Sequence, residues 1–193
     1  MYRAITYYAL KNNYIPFDEE NLKEFSKILL DVKLSFVFNK KLGYSEIFLN
    51  NNNIEKEIRS IIVSNHVSSV ATVSFIRKHM VNLQKELSLN KGVVMDGRDI
   101  GTVVFPNAEL KLFLTASAEV RAKRRYSEYV NENVEVEYNE VLNNLKSRDL
   151  DDSKRKDSPL IIADDALEID NSFMSMEDQL TFVKSILKDK FNL

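Results

Sequence analysis

Apolar residues near the start of the chain recur at the spacing of helical faces. One such face lies within residues 2–12, and a second runs through residues 19–30. Asp18 stands directly before the second stretch, where an aspartate side chain can accept hydrogen bonds from the first backbone amides of a helix. The pattern therefore predicts two helices in this region, the second of them capped by Asp18.

The pattern changes after residue 31, where apolar and polar side chains alternate as they do in half-buried strands. Residues 32–38 and 44–49 both alternate, and polar, turn-forming residues separate and follow them. We expect a small antiparallel β unit over about residues 31–60, inserted into a larger fold made of residues 1–30 and 61–193.

Helical stretches and short apolar strands alternate in the rest of the chain. This alternation is typical of a parallel sheet covered by helices on both sides, so the predicted fold class is α/β. Only three strands are candidates for the sheet, whereas such sheets usually have about five. In chain order we predict helices over most of 54–89, a strand at 93–95, a strand at 111–114, helices at 118–130 and 136–148, a strand at 166–169, and a last helix that begins at Ser175 and turns Met176, Leu180, Val183 and Leu187 towards the core.

The densest group of polar side chains follows the predicted strand at 93–95. Asp96, Arg98 and Asp99 come directly after three apolar residues, with glycines beside them. Open α/β sheets bind their ligands at the carboxyl ends of the strands. Two carboxylates and a guanidinium at such an edge predict a site for a phosphorylated small molecule that also offers hydrogen-bonding groups.

Composition excludes several kinds of site and of protein. The chain has no cysteine, which excludes disulfides and cysteine-based metal sites or nucleophiles. It has too few histidines for a histidine-rich metal site, and it lacks the Gly-x-Ser-x-Gly elbow of many hydrolases. The net charge of −2 argues against general binding of nucleic acid, although basic residues cluster at 121–125 and 146–156. No apolar run is long enough to span a membrane, and we expect a cytoplasmic protein.

Residues 97–106, Gly-Arg-Asp-Ile-Gly-Thr-Val-Val-Phe-Pro, are specific enough to compare with a known family. Together with Leu-Phe-Leu-Thr-Ala-Ser at 112–117, the basic run at 121–125 and the stretch 148–170, they closely resemble bacterial cytidylate kinases. The resemblance to these nucleoside-monophosphate kinases covers essentially the whole chain. It implies a P-loop-type parallel sheet flanked by helices, with the antiparallel unit on the monophosphate side. It also implies transfer of the γ-phosphate of ATP to CMP or dCMP, with Mg²⁺ as the metal.

The resemblance further implies roles for individual residues. A mobile lid over about residues 148–159 would close on the nucleotide and exclude water. Arginines would hold phosphate, because the planar guanidinium binds phosphate through two parallel hydrogen bonds. The implied catalytic residues are Arg98, Arg148, Asp152 and Arg155. The implied acceptor-phosphate ligands are Arg3, Arg98 and Arg155, next to Tyr2, and the implied cytosine-recognising residues are Asp99, Ser68 and Arg77. Arg148 and Asp152 would contact the sugar and phosphates. Apart from the resemblance, the place of Asp96 at the end of its predicted strand suits a carboxylate that holds Mg²⁺ through a water.

Ser68 and Arg77 can contact one base only if the helix between them breaks. They are nine residues apart, a turn of about 900° that places them on opposite faces of a straight helix. Residues 71–74 are poor in helix formers and end in Ser74, a candidate N-cap. We therefore predict a break in this stretch.

Without the resemblance, the same residues have simpler interpretations, and these stay open at this point. Charged runs in helices usually form solvated faces, and charges that follow strands often pair with one another. In that interpretation Arg3 is a terminal surface charge, Arg98 pairs with Asp96 or Asp99, Asp96 caps the turn after its strand, Ser68 and Arg77 lie on a helix surface, and Arg148, Asp152 and Arg155 form a solvated charged face.

One feature of the family pattern does not occur in these residues. The chain has four glycines, at positions 43, 92, 97 and 101, and none belongs to a phosphate-cradling Gly-x-x-x-x-Gly-Lys-Ser/Thr loop. We expect this loop and its flanking strands, on the order of 30–40 residues, to precede Met1 in the complete protein. On this expectation the present chain is an N-terminally truncated fragment without activity of its own, and the complete protein is a monomer.

Two other functions compete with the kinase. The chain could be a non-catalytic remnant that binds a pyrimidine nucleotide, since residues expected to hold the monophosphate are present. A nucleic-acid-binding protein is disfavoured by the acidic balance and by the lack of aromatic residues interleaved with the arginine clusters. The expected partners are therefore the small molecules CMP, dCMP and ATP, and neither nucleic acid nor membrane.

Overall fold

The computed structural model describes residues 1–89, 92–131, 133–154 and 157–192. The chain divides into two compact units, one made of Met1–Gly97 with Arg155–Ser158 and the other of Arg98–Lys154 with Pro159–Leu193. The division into core, insert and lid that the sequence suggests stays a prediction. No helix in the described ranges is long and apolar enough to cross a membrane.

Four helices make up most of the first unit. Both predicted N-terminal helices are confirmed, and Asp18 caps the second: its carboxylate accepts hydrogen bonds from the backbone amides of Glu20 and Asn21, at 2.9 and 2.8 Å. The predicted break is also confirmed, because Val73 leaves the helical conformation between two helices. The helices are α1 (Tyr2–Lys11), α2 (Glu19–Ile28), α3 (Ile61–Thr72) and α4 (Ser74–Leu87).

The first unit also contains the predicted antiparallel sheet. Strands β1 (Leu34–Asn39) and β2 (Tyr44–Leu49) pair in the register that sets Leu34 opposite Leu49. A two-residue strand, β3 (Asn52–Asn53), pairs with the end of β2 inside the stretch predicted as a polar turn. The side chains of Ile47 and Leu49 in β2 are both buried, which anchors one end of this sheet in the core.

The core of the first unit centres on Phe25 of α2. Its ring is fully buried, and the rings of Tyr14 and Phe17 lie 5.0 and 5.4 Å from it between centroids. Apolar side chains from α1, α3, α4 and the sheet complete the cluster. This is the arrangement that helical periodicity predicts, with each apolar face turned to a shared interior.

The second unit is built on two parallel strands and three helices. Strands β4 (Leu112–Thr115) and β5 (Leu167–Asp170) pair in parallel, as the alternation of elements predicted. Ser117 caps the helix after β4 by accepting a hydrogen bond of 3.2 Å from the Val120 amide. The helices are α5 (Ala118–Asn131), α6 (Tyr138–Lys154) and α7 (Met176–Phe191).

The predicted strand at 93–95 is wrong. These residues have no regular secondary structure, and the side chains of Val93 and Val94 are exposed. An apolar run becomes a buried strand only where neighbouring strands take its backbone hydrogen bonds and helices cover its side chains. No strand among the described residues pairs with this run, so Asp96 does not end a buried strand.

Two predictions about helices also need correction. The helix predicted at 136–148 continues to Lys154 although aspartate is a weak helix former. The continuation is supported by ion pairs of Asp149 with Arg121 and of Asp152 with Arg98. The last helix begins at Ser175 as predicted, with a capping box to Asp178. Its predicted core face is wrong in part, however: Met176 and Leu180 are exposed, Val183 and Leu187 are half-buried, and none of the helix's residues is fully buried.

Candidate functional site

Asp99 opens an unusual turn in the second unit. Its carbonyl oxygen accepts hydrogen bonds from the amides of both Val103 and Val104, at 2.9 and 3.2 Å, and residues Ile100–Val104 form one π-helical turn. Such turns are rare and occur frequently at functional sites. Asp99 itself is buried, so the turn holds a carboxylate in a sheltered position.

The residue before Asp99 forms an ion pair with α6. The guanidinium of Arg98 pairs with the carboxylate of Asp152, whose side chain is almost fully buried, while Arg98 stays partly exposed. The pairing predicted from sequence, with Asp96 or Asp99, missed this partner because it lies more than fifty residues away in the chain. The structure thus joins two of the residues that the family resemblance implied.

Arg148 lies one helical turn before Asp152 on the same face of α6. Its Nε atom is buried and has no hydrogen-bond partner among the residues that the structure describes. Burial lowers the pKa of Arg148 and the charge of Arg98 lowers it further, while the attraction of Asp152 opposes both. A buried guanidinium nitrogen without an acceptor is costly, and an anionic ligand would remove that cost.

The arginines of α5 divide into two kinds. Arg121 binds Asp149 of α6 through two parallel hydrogen bonds of 3.0 and 2.7 Å, and Arg124 donates to the carbonyl oxygen of Asn171 at 2.7 Å. Both therefore hold the second unit together. Arg125 forms an ion pair with Glu128 at 2.7 Å, and its charge adds to the field at Arg148. Of the three, Arg125 is the one electrostatically coupled to the candidate site.

Arg3 is fixed inside the first unit and is not a terminal surface charge. Its Nη1 atom donates to the carbonyl oxygen of Ile58 at 2.8 Å and to the hydroxyl oxygen of Ser64 at 2.9 Å. Ser64 precedes Ser68 by one turn of α3, so both serines lie on the same side of that helix. Sequence analysis missed Ser64, although its spacing of four from Ser68 was a usable signal.

Arg77 is buried, which contradicts its interpretation as a helix-surface residue. Its Nε and Nη2 atoms donate to the carbonyl oxygen of Ala71, at 3.0 and 2.8 Å, and so close the end of α3 across the break. Its guanidinium carbon lies 5.2 Å from the ring centre of Tyr2, a cation–π distance. Ser74 does not cap α4, since Val73 occupies that position and the Ser74 hydroxyl contacts Asp157 instead.

Asp96 lies exposed in the first unit, where its charge attracts the amino group of Met1. The described residues bring no three histidine, aspartate or glutamate side chains together as a cation cage. Mg²⁺ in nucleotide-dependent enzymes is commonly bound by one or two carboxylates together with substrate phosphates. A single exposed carboxylate such as Asp96 fits that donor set. Arg155, the remaining predicted ligand, lies outside the described residues.

The comparisons with known proteins agree with one another. Residues 1–189 match the family model described as cytidylate kinase. The cytidylate kinase of Flavobacterium psychrophilum is 54% identical over 189 residues, which cover 98% of this chain and 84% of that protein. Those of Flavobacterium johnsoniae and Parabacteroides distasonis are 51% and 49% identical and cover 98% and 93% of the chain, at 82% and 78% of their own lengths. The chain belongs to the cytidylate kinase family.

Proposed function

We propose that this chain serves in an ATP-dependent kinase that transfers the γ-phosphate of ATP to CMP or dCMP, giving CDP or dCDP. Family membership supports the reaction class. The names of the relatives, at up to 54% identity over 98% of the chain, support cytidylate as the acceptor. We propose in addition that the protein works as a monomer in the cytoplasm on small-molecule nucleotides.

The observation that carries the proposal is the buried Nε of Arg148, which has no hydrogen-bond partner within the described part of the chain. Structural ion pairs satisfy their polar atoms, as Arg121 does with Asp149. A partly buried guanidinium that lies beside a second arginine, and whose buried Nε has no acceptor among the described residues, is instead prepared for an incoming acceptor. The guanidinium fork matches the geometry of phosphate as well as that of carboxylate, so a nucleotide phosphate can serve as that acceptor.

Phosphoryl transfer needs no covalent intermediate and little proton transfer by the protein. Its rate comes from holding the acceptor in line with the phosphoryl group and from neutralising the charge on the transferred oxygens. In our proposal Arg98 and Arg148 supply that positive charge. Asp152 keeps Arg98 oriented through their ion pair, so that the guanidinium does not have to be ordered when the substrate arrives.

Recognition of cytosine is the second part of the proposal. The base offers one amino donor and two acceptors, a ring nitrogen and a carbonyl oxygen. Asp99 accepts from the amino group, while Ser68 and Arg77 donate to the two acceptors. The fixed positions of Asp99 in its turn and of Arg77 against Ala71 support this assignment, because neither side chain has to be ordered by the ligand.

Mg²⁺ bound to the nucleotide phosphates would supply charge neutralisation during transfer, with Asp96 as its protein ligand through a water. Binding of the β-phosphate of ATP, the phosphoryl donor, is a separate requirement. None of the four glycines in these 193 residues belongs to a Gly-x-x-x-x-Gly-Lys-Ser/Thr loop. We therefore propose that the 193 residues alone bind the monophosphate without sustaining turnover.

Calorimetric titration of the chain with CMP, UMP and AMP tests the proposal. We expect CMP to bind most tightly, because of the three bases only cytosine presents an amino donor, a ring-nitrogen acceptor and a carbonyl oxygen along one edge. Equal affinities, or no binding of any of the three, would contradict the assignment of the acceptor. Analysis of products after incubation with ATP, Mg²⁺ and CMP then separates the kinase from a binding module. Full turnover by the 193 residues would disprove their inactivity while supporting the reaction.

A further inference from the structure

Lys111 is a buried lysine that none of the roles above uses. Its side chain is only 7% exposed, and it directly precedes β4. Its backbone carbonyl accepts a hydrogen bond of 2.9 Å from the amide of Leu167, so the main chain of Lys111 is held by the pairing of β4 and β5. Burying an ammonium group is unfavourable unless its donors are satisfied, so its surroundings should show what it does.

The ammonium group of Lys111 joins two loops of the second unit. Nζ donates to the carbonyl oxygen of Pro106 at 2.6 Å and to the carboxylate of Asp165, also at 2.6 Å. Pro106 follows the π-helical turn that Asp99 opens, and Asp165 precedes β5. Lys111 therefore connects the residue that follows the Asp99 turn, Pro106, to the loop that leads into β5.

The aliphatic part of Lys111 supports the same turn in its middle. A Cβ atom added at Gly101 would lie 3.3 Å from Cδ and 3.7 Å from Cγ of Lys111. The backbone of Gly101 does not have a positive φ, so a side chain at this position would act through its close approach to the lysine stem and not through backbone conformation. The lysine stem thus packs on the turn two residues after Asp99, while its ammonium binds the carbonyl after the turn.

We propose that Lys111 is a positioning residue for Asp99, and that through Asp99 it sets the preference for cytosine over uracil. It acts through the turn and does not touch the nucleotide. The inference rests on the proposed function, because it takes Asp99 as the acceptor for the amino group of cytosine. Uracil has a carbonyl oxygen where cytosine has its amino group, so the Asp99 carboxylate attracts CMP and repels UMP. Displacement of Asp99 would weaken both effects and so reduce the preference for CMP.

Two variants disturb the contact between Lys111 and the turn that Asp99 opens, one at the lysine and the other at the turn. Lys111→Met keeps the stem and removes the ammonium group. Gly101→Ala keeps the ammonium group and pushes against the stem, and it stays informative if Lys111→Met fails to fold. Lys123→Met, on the exposed side of α5, is the matched control for loss of one lysine charge.

The first measurement is hydrogen exchange of the amides of Val103 and Val104, which donate to the Asp99 carbonyl. We expect Lys111→Met and Gly101→Ala to lower their protection by about tenfold, the order of one hydrogen bond to a charged group. Protection in α1 of the first unit should stay as in the wild type. Unchanged protection at Val103 and Val104 in both variants would overturn the positioning role, whatever the chain binds.

The second measurement is the ratio of the Kd values for UMP and CMP. We expect this ratio to fall about tenfold in Lys111→Met and Gly101→Ala and to stay unchanged in Lys123→Met. Loss of protection with an unchanged ratio would show a merely structural lysine and overturn the link to base choice. A wild-type chain without preference for CMP would instead refute the proposed function, and the exchange data would still decide whether Lys111 fixes the turn.

Discussion

Each of the two units of this protein is stabilised internally by a different kind of interaction. In the first, aromatic and aliphatic side chains bury themselves around Phe25. In the second, few apolar side chains are fully buried, and ion pairs such as Arg121 with Asp149 and Lys111 with Asp165 join its elements. The first unit should therefore respond to changes in packing, and the second to changes in salt and pH.

This difference matters for function because charged groups in the second unit have two uses. The same residue types that join α5 to α6 also form the candidate phosphate site. A charged network is adjustable, since its partners can exchange a protein carboxylate for a phosphate, whereas a packed apolar core cannot. The contrast is therefore one between apolar packing in the first unit and paired charges in the second.

The largest expected effect is on packing in the first unit. Phe25→Ala removes a fully buried ring that lies against Tyr8, Tyr14, Phe17 and Phe75. We expect it to lower the free energy of unfolding by about 3–5 kcal/mol, the usual cost of a large core cavity. Urea unfolding followed by circular dichroism measures the change.

Phe173→Ala is the control for this substitution, because the Phe173 side chain is 97% exposed in the second unit. We expect its effect on the free energy of unfolding to stay within about 0.5 kcal/mol. Equal losses in the two variants would contradict a core centred on Phe25.

A smaller effect should come from the ion pair between α5 and α6. Arg121 and Asp149 are about one-third exposed, at 35% and 33%, so water and salt screen their attraction. A double-mutant cycle with Arg121→Met and Asp149→Asn should give a coupling energy of about 0.5–1 kcal/mol at low salt. The cycle cancels the other hydrogen bond of Arg121, to the carbonyl oxygen of Ala116. A coupling that does not weaken in high salt would disprove the surface character of the pair.

The smallest expected effect is on the way stability depends on pH in the acidic range. The hydrogen bond from Lys111 holds the pKa of Asp165 below its ordinary value of 3.8, with Lys190 adding to the attraction. A carboxyl whose pKa is lowered by folding stabilises the folded state above its unfolded pKa, and this stabilisation is lost as the pH falls through the folded pKa. Asp165→Asn should therefore make the stability of the second unit depend less on pH in the acidic range.

The neighbouring Asp164→Asn removes the same charge without removing the bond to Lys111, and we expect it to keep the acid response of the wild type. Unfolding curves measured over a series of acidic pH values compare the two variants. If both respond to acid in the same way, Lys111 and Asp165 do not form a stabilising pair in solution.

The sequence predicted those parts of the fold that depend on local interactions. Asp18 and Ser175 begin their helices through contacts with residues no more than three positions away. The break before α4 followed from the poor helix formers at 71–74. The prediction of a strand at 93–95 was wrong because strand formation depends on neighbours that are distant in the chain. The prediction that Met176 and Leu180 of α7 face the core was wrong because periodicity shows which side of a helix is apolar without showing what covers it.

The candidate site was predictable in its residue types but not in its pairing. Arg98, Arg148 and Asp152 could be named from the resemblance, yet the ion pair of Arg98 with Asp152 joins positions far apart in the chain. The role of Lys111 had no local signal, because a lysine before a strand looks like any surface charge. Its burial becomes visible only when Pro106, Gly101 and Asp165 are seen around it.

The central claim is that Arg148 is prepared for a nucleotide phosphate, and one calorimetric comparison tests it directly. The wild-type chain, Arg148→Met and the exposed control Arg59→Met are each titrated with CMP and with cytidine. We expect the wild type and Arg59→Met to bind CMP more tightly than cytidine, and Arg148→Met to lose roughly 10- to 100-fold in affinity for CMP alone. An Arg148→Met chain that binds CMP as tightly as the wild type would contradict the claim.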